Sequence, residues 1–143
     1  RKMKPFFLSL IIVLLDQITK YLSIDKTIQV FSLFSINYIE NTGAAFGILQ
    51  NKVFFLSIIS IVVILLIIYY FNKSNKGEKF ALSFILAGAI GNLIDRIFRG
   101  YVIDFIDFKF WPAFNIADTA NVIGVLLLIY YSEIIQNLFK SKK

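Results

Sequence analysis

Two residue types are missing from this 143-residue chain, which has no cysteine and no histidine. Without cysteine there is no disulfide and no thiol nucleophile. Without either, zinc sites of the usual His/Cys kind are excluded, and so is a histidine general base. A hydrolase built from these residues works with carboxylates, or with Ser or Thr beside Lys. Charge is also scarce: 17% of residues are charged and 58% are hydrophobic. A soluble domain carries about 45–50% apolar residues. The excess here comes in blocks, as in a polytopic membrane protein. No repeat, linker or low-complexity stretch interrupts the chain, so one domain covering 1–143 is expected.

Sixteen phenylalanines and few alternating Val-rich strands favour helices over a membrane barrel. The net charge of +6 does not point to nucleic acid. Its lysines lie in short loops and tails between apolar runs, which is a pattern of membrane topology.

Four spans are read, at about 5–24, 53–71, 80–97 and 115–131. The first follows Arg1, Lys2 and Lys4 and resembles a signal peptide, but no small-residue cleavage site follows it, so it is read as retained. The second holds no charge and is about 28 Å long as a helix, enough to cross. It reads as lipid-facing scaffold. The third carries Ala87, Gly88, Ala89 and Gly91, a small-residue surface for close helix contact. Between the spans lie outer loops at 25–52 and 98–114. The first loop alternates apolar and polar residues around Phe34–Ile39, which argues for short half-buried strands. Turn chemistry follows: Asn41 and Gly43 tolerate positive φ, and Gly47 permits close approach. The second reads as a short aromatic loop with Tyr101 and Trp111 at the interface.

Four spans put both termini on one side. Arg1, Lys2, Lys4, Lys73, Lys76, Lys79, Lys140, Lys142 and Lys143 share it, which makes that side cytoplasmic. Asp16 then lies roughly 15 Å beyond Phe6, and Asp95 roughly 22 Å from Phe80, at about 1.5 Å per residue. Both fall in the outer half with Asp104 and Asp118. Four separate segments deliver polar groups to one depth.

Charge inside a membrane helix is costly and marks function by default. Two carboxylates held together do not both ionise easily. One keeps its proton, and such a pair can activate water and donate to a carbonyl. Asp104 and Asp118 are the candidates, with Asp16 and Asp95 behind them. More ordinary readings exist. Asp118 with Asn115 also reads as a helix start. Asp95 with Arg96 and Asp16 with Lys20 read as buried structural pairs. Asp107 reads as a solvated loop acid beside Lys109, and Asn92 as glue between helices. A small transporter would use acids and lysines of this kind, but without an inverted repeat and with its acids at one rim the chain fits a surface enzyme better.

The residues DQITK (Asp16–Lys20), ENTGAAFG (Glu40–Gly47), AGAIGNLIDRIFRGYVIDFIDF (Ala87–Phe108) and WPAFNIADTA (Trp111–Ala120) stand in order along nearly the whole chain. Together they resemble bacterial lipoprotein signal peptidase (signal peptidase II). That resemblance implies an all-α bundle of four transmembrane helices with a small β-containing extracytoplasmic loop domain. It implies an aspartyl endopeptidase of the bacterial cytoplasmic (inner) membrane, with its active site near the outer surface. Its substrates would be diacylglyceryl-modified prolipoproteins, cut just before the lipidated cysteine. Asp104 and Asp118 match the family's catalytic pair. Asp16, Lys20, Asn41, Gly43, Asn92, Asp95, Arg96 and Asn115 match positions that bind substrate or support the site. The loop carrying Asn41 looks like the family's surface sheet, which cradles substrate. Globomycin inhibits the family. No metal, cofactor or nucleic acid is expected, and the protein is expected to act as a monomer in the bilayer.

Overall fold

The computed structural model describes residues 5–44 and 48–132. Gly47 and the charged ends (Arg1, Lys2, Lys4, Glu133, Lys140, Lys142, Lys143) lie outside the described residues. The elements in chain order are α1 (Pro5–Ser23), β1 (Thr27–Phe31), β2 (Phe34–Asn41), α2 (Val53–Phe71), α3 (Lys76–Phe98), β3 (Val102–Phe108) and α4 (Ile116–Tyr131). Among the described residues there are four helices, of which α1, α2 and α3 are long and apolar enough to cross a membrane, while α4 has 16 residues there.

The helices are dressed for lipid outside and for polar contact inside. In α1 the buried positions are Ser9, Ile12, Asp16, Lys20 and Ser23. Their spacing of three and four residues makes one stripe on the helix. Phe6, Phe7, Leu10, Leu14, Leu15 and Ile18 face outward. A lipid tail is as apolar as leucine, so helices in a membrane associate through packing and polar contacts rather than through burial of greasy faces. In α2 only Leu56, Ile67 and Phe71 are buried, consistent with its reading as scaffold. Ile67 and Phe71 pack with Leu82 and Leu86 of α3.

α3 is the central element and touches the other three helices. It starts at Lys76, earlier than the apolar run suggests. Asn75 caps it, accepting from Glu78 N–H, and Glu78 reaches back to Asn75 N–H, so two orphan amides of the first turn are satisfied. Its small-residue face brings α1 and α4 close. A Cβ on Gly91 would come within 2.7 Å of Oδ2 of Asp16. The packing of α3 against α1 at this level therefore requires glycine.

The strands form one antiparallel sheet in the order β1-β2-β3. β2 is the half-buried strand expected around Phe34–Ile39, whereas β1 precedes that stretch and is exposed throughout. β3 is a correction: the 98–114 stretch is not only loop. Val102–Phe108 pairs along β2, with Ile39 opposite Asp104 and Asn41 opposite Val102. The free side of β3 is closed by Phe114, which exchanges backbone hydrogen bonds with Ile106. Asp104 thus sits on a strand. The turn chemistry also differs from expectation. Among the described residues positive φ falls at Asp25, Leu49, Asn51 and Gly100, not at Asn41 or Gly43. Gly43 is needed for space instead, because a Cβ there would meet the Ile48 carbonyl oxygen at 2.7 Å.

Candidate active site

The site is built on a buried ion cluster between α1 and α3. Lys20 and Asp16 are i,i+4 neighbours and pair at 2.8 Å, as the sequence suggests. Lys20 also pairs with Asp95 at 2.9 Å, and all three side chains are fully buried. Asp95 takes a second cation, Arg99, at 2.7 Å. The expected pairing of Asp95 with Arg96 is therefore corrected. Adjacent residues on a helix point to different faces, whereas residues four apart share one.

The two acids of this cluster also hold the backbone that carries the other two. Asp16 Oδ1 accepts from Ala117 N–H at 2.8 Å, in the first turn of α4. Asp95 Oδ2 accepts from Ile103 N–H at 3.1 Å, at the start of β3. Each is one residue away from Asp118 or Asp104. Gln17 fastens the assembly from the side, donating to Asp16, to the Gly91 carbonyl and to Asp95, and accepting from Arg99. Among the described residues no buried side-chain polar atom lacks a partner.

Asp118 lies in the first turn of α4, where Asn115 is the cap. Asn115 Oδ1 accepts from Asp118 N–H at 2.9 Å, and Asp118 Oδ2 accepts from Asn115 N–H at 3.2 Å. Asp118 is thus a helix start as well as a site acid. Its Oδ1 accepts from Asn92 Nδ2 at 2.8 Å. Asp104 accepts on Oδ1 from Asn115 Nδ2 at 2.8 Å and on Oδ2 from Asn41 Nδ2 at 2.9 Å. Asn92 and Asn115 are joined at 3.1 Å, so the two carboxylates are connected through two amides. Asp104 is buried. That burial, and then the Asp118 carboxylate nearby, push its carboxyl up to about 7.

Both acids open on one cavity of about 540 Å³. Asn41, Gly43, Asn92 and Arg96 line it too, and Trp111, Phe114, Val122 and Ile123 give it an apolar side. Arg96 Nη2 reaches the Gly43 carbonyl at 3.5 Å and Nη1 reaches Ser60 Oγ at 3.4 Å, so it stands between the loop after β2 and α2. It lies in the field of Asp118, Asp104 and Asp95. Gly43 N–H in turn donates to Asn41 Oδ1 at 2.9 Å.

All ten residues singled out in the sequence therefore meet in one contiguous network. Asp107 lies apart from it. It is held by Lys109 at 2.8 Å and accepts from Ser35 and Asn37, and Lys109 keeps its carboxyl below the usual range. Gln17, Arg99 and Ser60 belong to the network without having been singled out. The signals for the first two were present: Gln17 follows Asp16 in DQITK, and Arg99 stands four residues after Asp95.

The description Signal peptidase (SPase) II matches residues 8–134. The chain belongs to the signal peptidase II family. It is 48% identical to the lipoprotein signal peptidase of Caldanaerobacter subterraneus subsp. tengcongensis, over 83% of this chain and 88% of that one. It is 42% identical to that of Halothermothrix orenii, over 88% and 92%. A solved bacterial membrane enzyme, determined by the in meso method at 2.3 Å resolution, superposes with a TM-score of 0.84 at 35% identity, over 97% of this chain and 89% of its own. The protein is accordingly a bacterial membrane protein and a peptide hydrolase, and the transporter alternative is set aside.

Proposed function

We propose that this protein removes the signal peptide of diacylglyceryl-modified prolipoproteins by cutting just before the lipidated cysteine, with Asp104 and Asp118 as the catalytic pair. The observation that carries this reading is that β3 and α4 deliver these two acids to one cavity and to one amide network. Asp104 keeps the proton and Asp118 is ionised. The raised Asp104 carboxyl supports the first half. The position of Asp118 in the first turn of α4 supports the second, since a helix N-terminus favours negative charge. Charge balance supports a single shared proton. Lys20, Arg96 and Arg99 face Asp16, Asp95, Asp104 and Asp118, and the cluster is neutral when the pair holds one proton.

In this mechanism Asp118 takes a proton from water as its oxygen attacks the scissile carbonyl carbon, and Asp104 donates its proton to the carbonyl oxygen. The tetrahedral diol collapses as a hydroxyl proton returns to Asp104. The C–N bond breaks, and the leaving nitrogen takes the proton held by Asp118. Asn41, Asn92 and Asn115 hold the pair in place. The cavity's apolar side, at Trp111, Phe114, Val122 and Ile123, suits acyl chains or the apolar signal helix.

The same reading has the chain acting as one domain and a monomer, with four spans, both termini cytoplasmic and the pair at the outer water boundary. α4 as described is about 24 Å long, short of the roughly 30 Å hydrocarbon core, so the fourth crossing is part of the proposal. The test is mass analysis of products from a diacylglyceryl-modified prolipopeptide and its unmodified counterpart. A single cut before the modified cysteine, and none in the unmodified peptide, is the expected result. Cleavage elsewhere, or equal cleavage of both, contradicts it.

A further inference from the structure

Three asparagines touch the proposed catalytic pair, and the direction of each amide is set by a group able only to donate. Gly43 N–H fixes the Asn41 oxygen, so the Asn41 nitrogen faces Asp104. Asp118 N–H fixes the Asn115 oxygen, so the Asn115 nitrogen faces Asp104 and Asn92. Asn92 is different, because its oxygen is held by side chains: it accepts from Lys20 Nζ at 3.0 Å and from Asn115 Nδ2 at 3.1 Å.

A lysine ammonium has three donors and no acceptor. Those of Lys20 meet Asp16 Oδ2 at 2.8 Å, Asp95 Oδ2 at 2.9 Å and Asn92 Oδ1 at 3.0 Å. The side chain is fully buried and does not line the cavity, so it does not touch a substrate there. Turning the Asn92 amide over would set its NH2 against the ammonium and the Asn115 NH2, and its oxygen against Asp118. Three hydrogen bonds would become three repulsions.

We propose that Lys20 is a positioning residue for Asp118: its ammonium, anchored by Asp16 and Asp95, holds the Asn92 oxygen and thereby turns the Asn92 NH2 onto Asp118 Oδ1. The inference rests on the reading of Asp104 and Asp118 as the catalytic pair. The ion cluster then has a use beyond joining α1 to α3. Of the three asparagines that touch the pair, it fixes the one that no backbone group orients.

The test is a cycle of four proteins assayed on the modified prolipopeptide: wild type, Asn92→Ala, the charge-matched pair Lys20→Met with Asp16→Asn, and all three substitutions together. The matched pair removes one cation and one anion and leaves Asp95 its partner Arg99. Asparagine at position 16 still offers an oxygen to Ala117 N–H. The expected result is a kcat lowered roughly tenfold to a hundredfold in the matched pair, with KM within about twofold. In the Asn92→Ala background the matched pair lowers kcat by no more than about twofold. An equal loss in both backgrounds, an effect confined to KM, or a wild-type kcat overturns the inference. Should the matched pair not fold, a solid-state NMR distance in the wild-type protein decides it. The Asn92 side-chain nitrogen is expected next to the Asp118 carboxyl carbon, and a nitrogen turned toward Lys20 overturns the inference. If Asp104→Asn and Asp118→Asn cleave normally, the catalytic reading fails. If they are inactive and the cycle is additive, only the role of Lys20 fails.

Discussion

One side chain, Asn115, caps the helix that carries Asp118 and donates to Asp104 at 2.8 Å. The cap and the contact can be separated. Asn115→Ala removes both, while Asn115→Ser keeps an oxygen for the cap and loses the amide NH2 that reaches Asp104. The alanine variant should lose about 1 kcal/mol from the cap, and the serine variant should recover most of that. Neither should recover kcat, which falls roughly tenfold or more in both without the donor to Asp104. Thermal unfolding in detergent beside kcat on the modified prolipopeptide reads the two effects apart.

Asp104 also gives the fold a pH signature. Its carboxyl is raised from 3.8 to about 7 in the folded protein. The folded state therefore holds a proton that the unfolded state has released, across the window between those values. Stability from this group is fully present below pH 3.8 and is lost as pH rises toward about 7. Relative to Asp104→Asn, the wild type should lose stability from about pH 4 to about pH 7, and the difference should be flat above. Melting temperatures of both proteins over that range check it; a difference independent of pH contradicts it. In the proposed mechanism the same proton is the one donated, so kcat/KM, which reports the substrate-free enzyme, should fall as pH passes above about 7.

Asp95 and Asp107 are both paired acids, and their removal should differ sharply. Asp95→Asn opens a fully buried cluster and weakens the acceptor of Ile103 N–H. A loss of about 3–5 kcal/mol is expected. Asp107→Asn disturbs a partly exposed pair with Lys109 and should cost less than about 1 kcal/mol. Urea unfolding of the two variants compares them directly.

Gly91 is where α3 presses on the Asp16 carboxylate. Gly91→Ala places a methyl group 2.7 Å from Asp16 Oδ2 and 3.1 Å from the Ala117 side chain. Despite the better helix propensity of alanine, the variant should be less stable by about 1–3 kcal/mol. An unchanged or higher melting temperature would show that α1 and α3 can part without cost.

Much of this was legible in the chain because its signals are local. The apolar runs gave the helices, and Asp16 with Lys20 four residues on gave the first ion pair. Asn115 before Asp118 read as a cap, and the side chains form one. What escaped depends on distant partners. β3 is a strand because β2, more than sixty residues earlier, offers it an edge, and FIDF alone does not show that. The early start of α3 was hidden because its capping box lies in a polar link, where apolar patterning gives no signal. The choice of Arg99 over Arg96 by Asp95 follows from helix geometry, yet adjacency in sequence suggested the nearer arginine. Gly43 has the sequence signature of a turn residue, but what it does is leave room for the Ile48 carbonyl.

The proposed catalytic pair is tested most directly by single-turnover cleavage of the diacylglyceryl-modified prolipopeptide with Asp104→Asn and Asp118→Asn, each first confirmed as folded by its melting transition. Loss of product to background in both variants, with the substrate still bound, is the expected result. Product formed at the wild-type rate by either folded variant would contradict it.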